Sequence, residues 1–168
     1  MKEILIVDGY NVINGWPELK TLATDNLEHA RLKLIDILAN YRGITENEVI
    51  LVFDASMVPG RSDRFEVVQN IEVIFSKENE TADSVIERLV HVMRGKKIFV
   101  VTSDWEEQRI IFGSGAYRLP VRQLREDVIN AEREIKERVL KHTYIRRTLE
   151  SGLSEEIRTA LEKIRRAK

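Results

Sequence analysis

At 168 residues, 43% hydrophobic and 33% charged, the chain has the length and mix of one well-ordered cytoplasmic protein with a real core. With no cysteine it has no disulfide framework, thiol nucleophile or thiolate-bound metal, and its three histidines (His29, His91, His142) are too scattered for a His-based metal cluster. The net charge of −1 hides a split: residues 1–116 carry 13 Lys and Arg against 19 Asp and Glu, and residues 117–168 carry 14 against 9. An acidic body before a basic tail can separate a metal-binding site from an anion-binding surface; a solvated, Arg-rich helical tail is the plainer alternative.

The chain opens on Ile4-Leu5-Ile6-Val7, too short for a signal-peptide core and lacking a small-residue cleavage site. No apolar run approaches the roughly 20 residues of a membrane span, so no membrane partner is expected. Ile4 to Val7, Val49 to Phe53 and Ile98 to Val101 are β-branched-rich and nearly continuous, as in strands buried on both faces of a parallel sheet. Ile71 to Phe75 alternates in part and reads as a strand nearer an edge. Between the first two runs, Leu27, Ala30, Leu34, Ile37, Leu38 and Tyr41 share a helical face, with Asp25 as the expected N-cap and Gly43 as the stop. Ser56 to Arg64 is the segment expected to form a mobile loop. Val85, Leu89, Val90 and Met93 predict a helix ending near Gly95, and a short helix is expected from Asp104 to about Gly113. After Pro120 the spacing of Val121, Leu124, Val128, Ala131, Ile135 and Val139 predicts a long amphipathic helix. Ser151-Gly152 breaks it, and Ser154 is the expected cap of a last helix carrying Ile157, Leu161 and Ile164. The alternation of strands and helices predicts an α/β fold.

The acids suggest the chemistry. Asp8 and Asp54 directly follow the first two strands, and Asp104 lies just past the Ile98–Val101 strand in Thr102-Ser103-Asp104. In an open parallel sheet these ends lie on one side, where sites assemble at the point of strand-order reversal. Glu78-Asn79-Glu80-Thr81-Ala82-Asp83 opens a helix on the same side; Glu80, Asp83 and Glu87, if all helical, lie along one face. Two carboxylates 4 Å apart repel by roughly 4 kcal/mol at an effective dielectric of about 20, so either some protons are retained or a cation sits among them. All-oxygen ligands favour Mg²⁺ or Mn²⁺, and such an ion suits phosphoryl chemistry by polarising phosphate and activating water. An aspartate after a strand is also a common helix cap or turn former. Four acids reaching one sheet edge by independent routes weigh against that reading as the whole account.

Asp8-Gly9-Tyr10-Asn11-Val12, Val52-Phe53-Asp54-Ala55, Glu78-Asn79-Glu80-Thr81-Ala82-Asp83 and Thr102-Ser103-Asp104, in that order, resemble the YacP-like branch of the NYN domain ribonucleases, in the PIN-like superfamily. The resemblance covers nearly the whole chain. It implies a PIN-like three-layer fold, a central mainly parallel sheet flanked by helices, with residues 1–168 as one nuclease domain and 120–168 as its basic helical extension. It further implies a ribonuclease dependent on Mg²⁺ or Mn²⁺. Asp8, Asp83 and Asp104 match the family's catalytic acids and metal ligands. Asp54 matches an acidic position of the flap-nuclease-like relatives and joins Asp8, Asp83 and Asp104 as an implied metal ligand, and Asn11 matches the motif asparagine, placed to orient Asp8 or a substrate phosphate. The family is bacterial and linked to ribosome-associated mRNA cleavage, so mRNA and the ribosome are the implied partners.

On this reading single-stranded RNA is cut by in-line attack of a metal-activated water, leaving a 5′-phosphate and a 3′-hydroxyl. Thr102 or Ser103 is placed to hydrogen-bond water at the metal. Arg61 and Arg64 on the loop, and Lys77 and Asn79 before the acidic helix, are the expected substrate contacts, with Tyr10 or Trp105 available to stack on a base or simply to pack. The tail's Arg133, Lys136, Arg138, Lys141, Arg146, Arg147, Arg158, Arg165 and Arg166 are expected in part to meet RNA. Two rivals stand beside this reading. A non-catalytic RNA- or ribosome-binding module would use the basic tail without needing the acids. A signalling receiver is disfavoured because Gly9, not a second acid, follows Asp8. No Gly-x-x-x-x-Gly-Lys occurs, so no nucleotide cofactor is expected.

Overall fold

In a computed structural model, which describes residues 2–58, 60, 65–103, 115–152 and 155–167, the chain contains a six-stranded sheet. In chain order the elements are β1 (Ile4–Asp8), α1 (Gly9–Gly15), α2 (Pro17–Asp25), α3 (Leu27–Thr45), β2 (Glu48–Phe53), a one-turn 3₁₀ helix (Ala55–Met57), β3 (Phe65–Val68), β4 (Ile71–Phe75), α4 (Ala82–Val92), β5 (Ile98–Val101), β6 (Tyr117–Leu119), α5 (Val121–Ser151) and α6 (Glu155–Arg166). The sheet order is β3-β4-β2-β1-β5-β6. All pairings are parallel except β3 with β4. The fold is α/β and mostly parallel, as the apolar runs predict.

The runs are continuous because both faces of the central strands are covered. Leu5 and Val7 of β1 join Val49, Leu51 and Phe53 of β2 in one core cluster, with Val12, Ile13, Leu19, Leu34 and Leu38 from α1–α3. Ile4 and Ile6 point the other way, onto a second cluster with Ile50, Val52, Val100 and Val85, Ile86 and Val90 of α4. Two-residue strand periodicity with apolar residues on both faces therefore sets three layers. From β1 the chain moves outward through β2 to β4, and then returns to lay β5 against the other side of β1. The strand order reverses between β1 and β5, which makes their C-terminal ends the natural place for a site.

Local chemistry explains where the expected elements shift. The residues before α3 form two short helices, α1 and α2, too brief for apolar spacing to reveal. Asn26, not Asp25, caps α3, its side chain accepting from the His29 amide, and the helix passes Gly43 to end at Thr45, where Glu46 takes the left-handed conformation. α4 ends at Val92, three residues before Gly95. β4 is second from the edge; the edge is β3, joined to it by Gln69-Asn70 with φ of 51° and 64°, the pair of positive values a type I′ hairpin turn requires. The helix expected after Asp104, the Ser154 cap and part of the Ser56–Arg64 loop lie outside the described residues.

The chain divides into two compact units, Met1–Ala131 and Glu132–Lys168. The first holds the sheet, α1–α4 and the start of α5, where Val121, Leu124 and Val128 are buried. Trp16, 1% exposed, donates its indole N–H to the Val121 carbonyl (2.9 Å) and fixes that start. The second unit is helical and carries 11 Lys and Arg against 7 Asp and Glu. Its Val139, Leu140, Tyr144, Ile157 and Leu161 are exposed. No helix among the described residues is long and apolar enough to cross a membrane.

Candidate active site

Asp8 is the last residue of β1 and the N-cap of α1. Only 6% of it is exposed, and its carboxylate accepts from Asn11 twice, from the backbone N–H (3.4 Å) and from the side-chain Nδ2 (2.7 Å). The same Nδ2 donates to Thr102 Oγ1 (3.2 Å), while Ser103 Oγ donates to Asn11 Oδ1 (2.8 Å). Both ends of the Asn11 amide are thus engaged, which sets which way the amide faces. Thr102 is fully buried and follows β5 directly, so the end of β5 braces the residue that orients the end of β1. Thr102 and Ser103, expected beside a metal-held water, are bonded to Asn11.

Gly9 makes this approach possible. A Cβ at residue 9 would stand 2.2 Å from Cε1 of Phe53, so a larger residue would push α1 off β2. Tyr10 packs its ring on Phe53 (centroids 5.1 Å), and its hydroxyl accepts from Arg31 at 3.3 Å. Burial raises the Tyr10 pKa, with the nearby Arg31 pulling the other way.

The other acids are held differently. Asp54, half-buried after β2, caps the 3₁₀ turn by accepting from the Ser56 N–H (2.9 Å). Ser76, buried after β4, accepts from the Ala55 N–H (2.9 Å) and secures the same turn. Asp83, half-buried, lies in the first turn of α4, whose N-cap is Thr81. Glu80 precedes that cap and so does not share a helical face with Asp83 and Glu87; it accepts from the Lys77 N–H (2.9 Å) and pairs with Arg88 (2.6 Å). The hydrogen bond from Arg88, and then that from Lys77, hold its carboxyl below the usual glutamate range. Lys77 and Asn79 are exposed, and Asn79 takes a left-handed conformation (φ 62°) in the turn that Glu80 closes.

Asp104, Arg61, Arg64 and Trp105 lie outside the described residues. Among the described residues no three His, Cys, Asp or Glu side chains form a group that could hold a metal ion, so Asp8, Asp54 and Asp83 do not make a ligand set by themselves. The donors at this edge are carboxylate, hydroxyl and amide oxygens, which suit a hard divalent cation such as Mg²⁺ or Mn²⁺. Asp104, two residues after the bonded Thr102, is the further acid the sequence supplies.

A family model for the YacP-like NYN domain matches residues 5–166. This chain belongs to the YacP-like NYN domain family. It is 45% identical to the uncharacterized protein YacP of Bacillus subtilis (strain 168), over 98% of this chain and 97% of that one. The crystal structure of Rae1 (YacP) from Bacillus subtilis matches with a TM-score of 0.73 at 45% identity, covering 97% of this chain and 94% of the other. The crystal structure of a mutant of that same protein matches with a TM-score of 0.72 at 46% identity, over 83% and 82% of the two chains. NYN domains are generally nucleases.

Proposed function

We propose that this chain is a metal-dependent endoribonuclease that cleaves single-stranded RNA, with mRNA at the ribosome as its substrate. The observation that carries the proposal is the Asp8–Asn11–Thr102/Ser103 network. It devotes four hydrogen bonds to fixing one buried carboxylate and its asparagine where strand order reverses. A structural cap needs only one such bond.

Asp8, Asp83 and Asp104 are the residues that would hold Mg²⁺ or Mn²⁺, with Asp54 as a further acid of the same edge. The ion supplies water activation and neutralisation of phosphate charge. The chain's own contribution is preorganisation. Asn11 keeps the Asp8 carboxylate in one orientation, so it need not rearrange when substrate arrives. Gly9 lets α1, which Asp8 caps, pack directly on Phe53 of β2. The excess of Lys and Arg in 132–168 supports attraction of a polyanion.

The test is incubation of the purified protein with mRNA, alone and with ribosomes, in Mn²⁺ or in EDTA, with the new ends mapped. Internal cuts bearing 5′-phosphates, lost in EDTA and in Asp83→Asn, are the expected result. RNA that is bound but left whole in Mn²⁺ with ribosomes present would instead favour a binding module.

A further inference from the structure

Among the described residues, none supplies a charge to pair with Arg31. It is half-buried on α3, yet among the described residues its one hydrogen-bond partner is neutral: the Tyr10 hydroxyl, at 3.3 Å. No carboxylate among those residues pairs with it. A guanidinium stays ionised at any working pH and carries five N–H donors, so a half-buried one with a single neutral partner has most of its bonding capacity turned elsewhere.

Its position gives that capacity a direction. Arg31 lines an open depression of about 450 Å³ together with Asn26, Leu27, Glu28, Met57 and Val58. Met57 belongs to the turn that Asp54 caps, so the depression lies beside the C-terminal end of β2. The Tyr10 hydroxyl that Arg31 holds belongs to the residue two places after Asp8. The arginine is therefore a cation at the margin of an acidic sheet edge, tied to the segment that carries the buried aspartate. A nucleic acid drawn to such an edge is repelled by the carboxylates unless cations on the chain receive the phosphates next to the reacting one.

We infer that Arg31 binds a phosphate of the RNA strand beside the one that is cut. The inference rests on the nuclease reading above and assigns that site a backbone contact on the β2 side. Arg31 reads no base, so the contact carries no sequence preference. The rival account is purely internal: Arg31 balances the field of Glu28 and Asp54 at a distance and steadies Tyr10.

The salt dependence of RNA binding separates the two. Binding of a short single-stranded RNA is measured in EDTA, where no cutting occurs, from low to moderate salt. Arg31→Gln is expected to bind roughly tenfold more weakly at low salt. Its plot of log affinity against log salt should be shallower by about 0.7, the contribution of one phosphate contact on a single strand. Arg31→Lys, which keeps the charge, should retain the wild-type slope. An unchanged slope in Arg31→Gln, whatever happens to affinity or melting temperature, overturns the contact. Should Arg31→Gln not fold, titration of the wild-type protein decides: the Arg31 Nε–H resonance, assigned with Arg31→Lys, must move on RNA addition, and its failure to move overturns the contact too. Cutting of mRNA in Mn²⁺, with ribosomes present, is scored separately. RNA cut with an unchanged slope sinks the Arg31 contact alone, whereas RNA held through Arg31 but never cut sinks the nuclease reading and leaves the contact standing.

Discussion

Asp8 and Asp54 stand at the C-terminal ends of neighbouring parallel strands, β1 and β2, and each caps the helical turn that follows it. Asp8 is buried and its partner asparagine is braced from β5. Asp54 is half-buried and bonds locally, to the Ser56 N–H two residues on. The difference comes from the strand on the far side of each. Beside β1 lies β5, arriving after the chain has reversed its direction of travel across the sheet, and it brings Thr102 and Ser103 to Asn11. Beside β2 lies β4, whose Ser76 is used to hold the Ala55 N–H. A strand-end aspartate is a cap by default; topology makes it part of a braced network.

The contrast breaks if the two aspartates matter equally. Asp8→Asn keeps an oxygen for the Asn11 amide but removes the charge. It is expected to slow RNA cleavage in single-turnover assays on the order of 10³-fold, about 4 kcal/mol of transition-state stabilisation. Asp54→Asn, in the same assay, should cost less than about tenfold. Equal losses would mean that the half-buried cap is as central as the buried carboxylate.

The bracing can be removed without touching an acid. Asn11→Ala frees the Asp8 carboxylate and should reduce cleavage about 10- to 100-fold, the usual range for losing a partner that orients a ligand. Thr102→Val leaves Asn11 its bond to Asp8, so unfolding by urea should register about 1 kcal/mol, with little change in rate. A third substitution, Gly9→Ala, tests the close approach of α1 to β2. The clash with Phe53 should lower stability by about 1–3 kcal/mol, read as a shift of the denaturation midpoint.

The smallest expected effect concerns Glu80, an acid that the structure uses as a clasp. Its carboxyl titrates below the ordinary value because Arg88 and the Lys77 N–H favour the charged form. The unfolded chain therefore binds the proton first as pH falls. The clasp contributes fully above the ordinary glutamate pKa of about 4.3 and fades as pH drops through the lowered folded value. Glu80→Gln should lower stability near neutrality by a few tenths of a kcal/mol, since the Arg88 side of the pair is largely exposed, and that deficit should vanish across the acid window. A large loss of cleavage in Glu80→Gln at neutral pH would instead put Glu80 in the site.

What the sequence by itself determined is local. The four principal strands, the long helices and the strand-end positions of the acids follow from apolar periodicity and chain order, which need no knowledge of neighbours. The motif order carried the family as well. Short elements escaped: α1 and α2 span seven and nine residues, and β3 and β6 are edge strands of four and three, too brief for a period to repeat. The hairpin did leave a trace in Gln69-Asn70, since asparagine tolerates the left-handed backbone. Only the tertiary structure decided that β5 lies against β1, that Asn11 turns its amide to Thr102 and Ser103 across 91 and 92 residues of chain, and that Arg31 meets Tyr10. Those contacts join residues remote in sequence, and their energy exists only once the sheet has placed strand ends side by side.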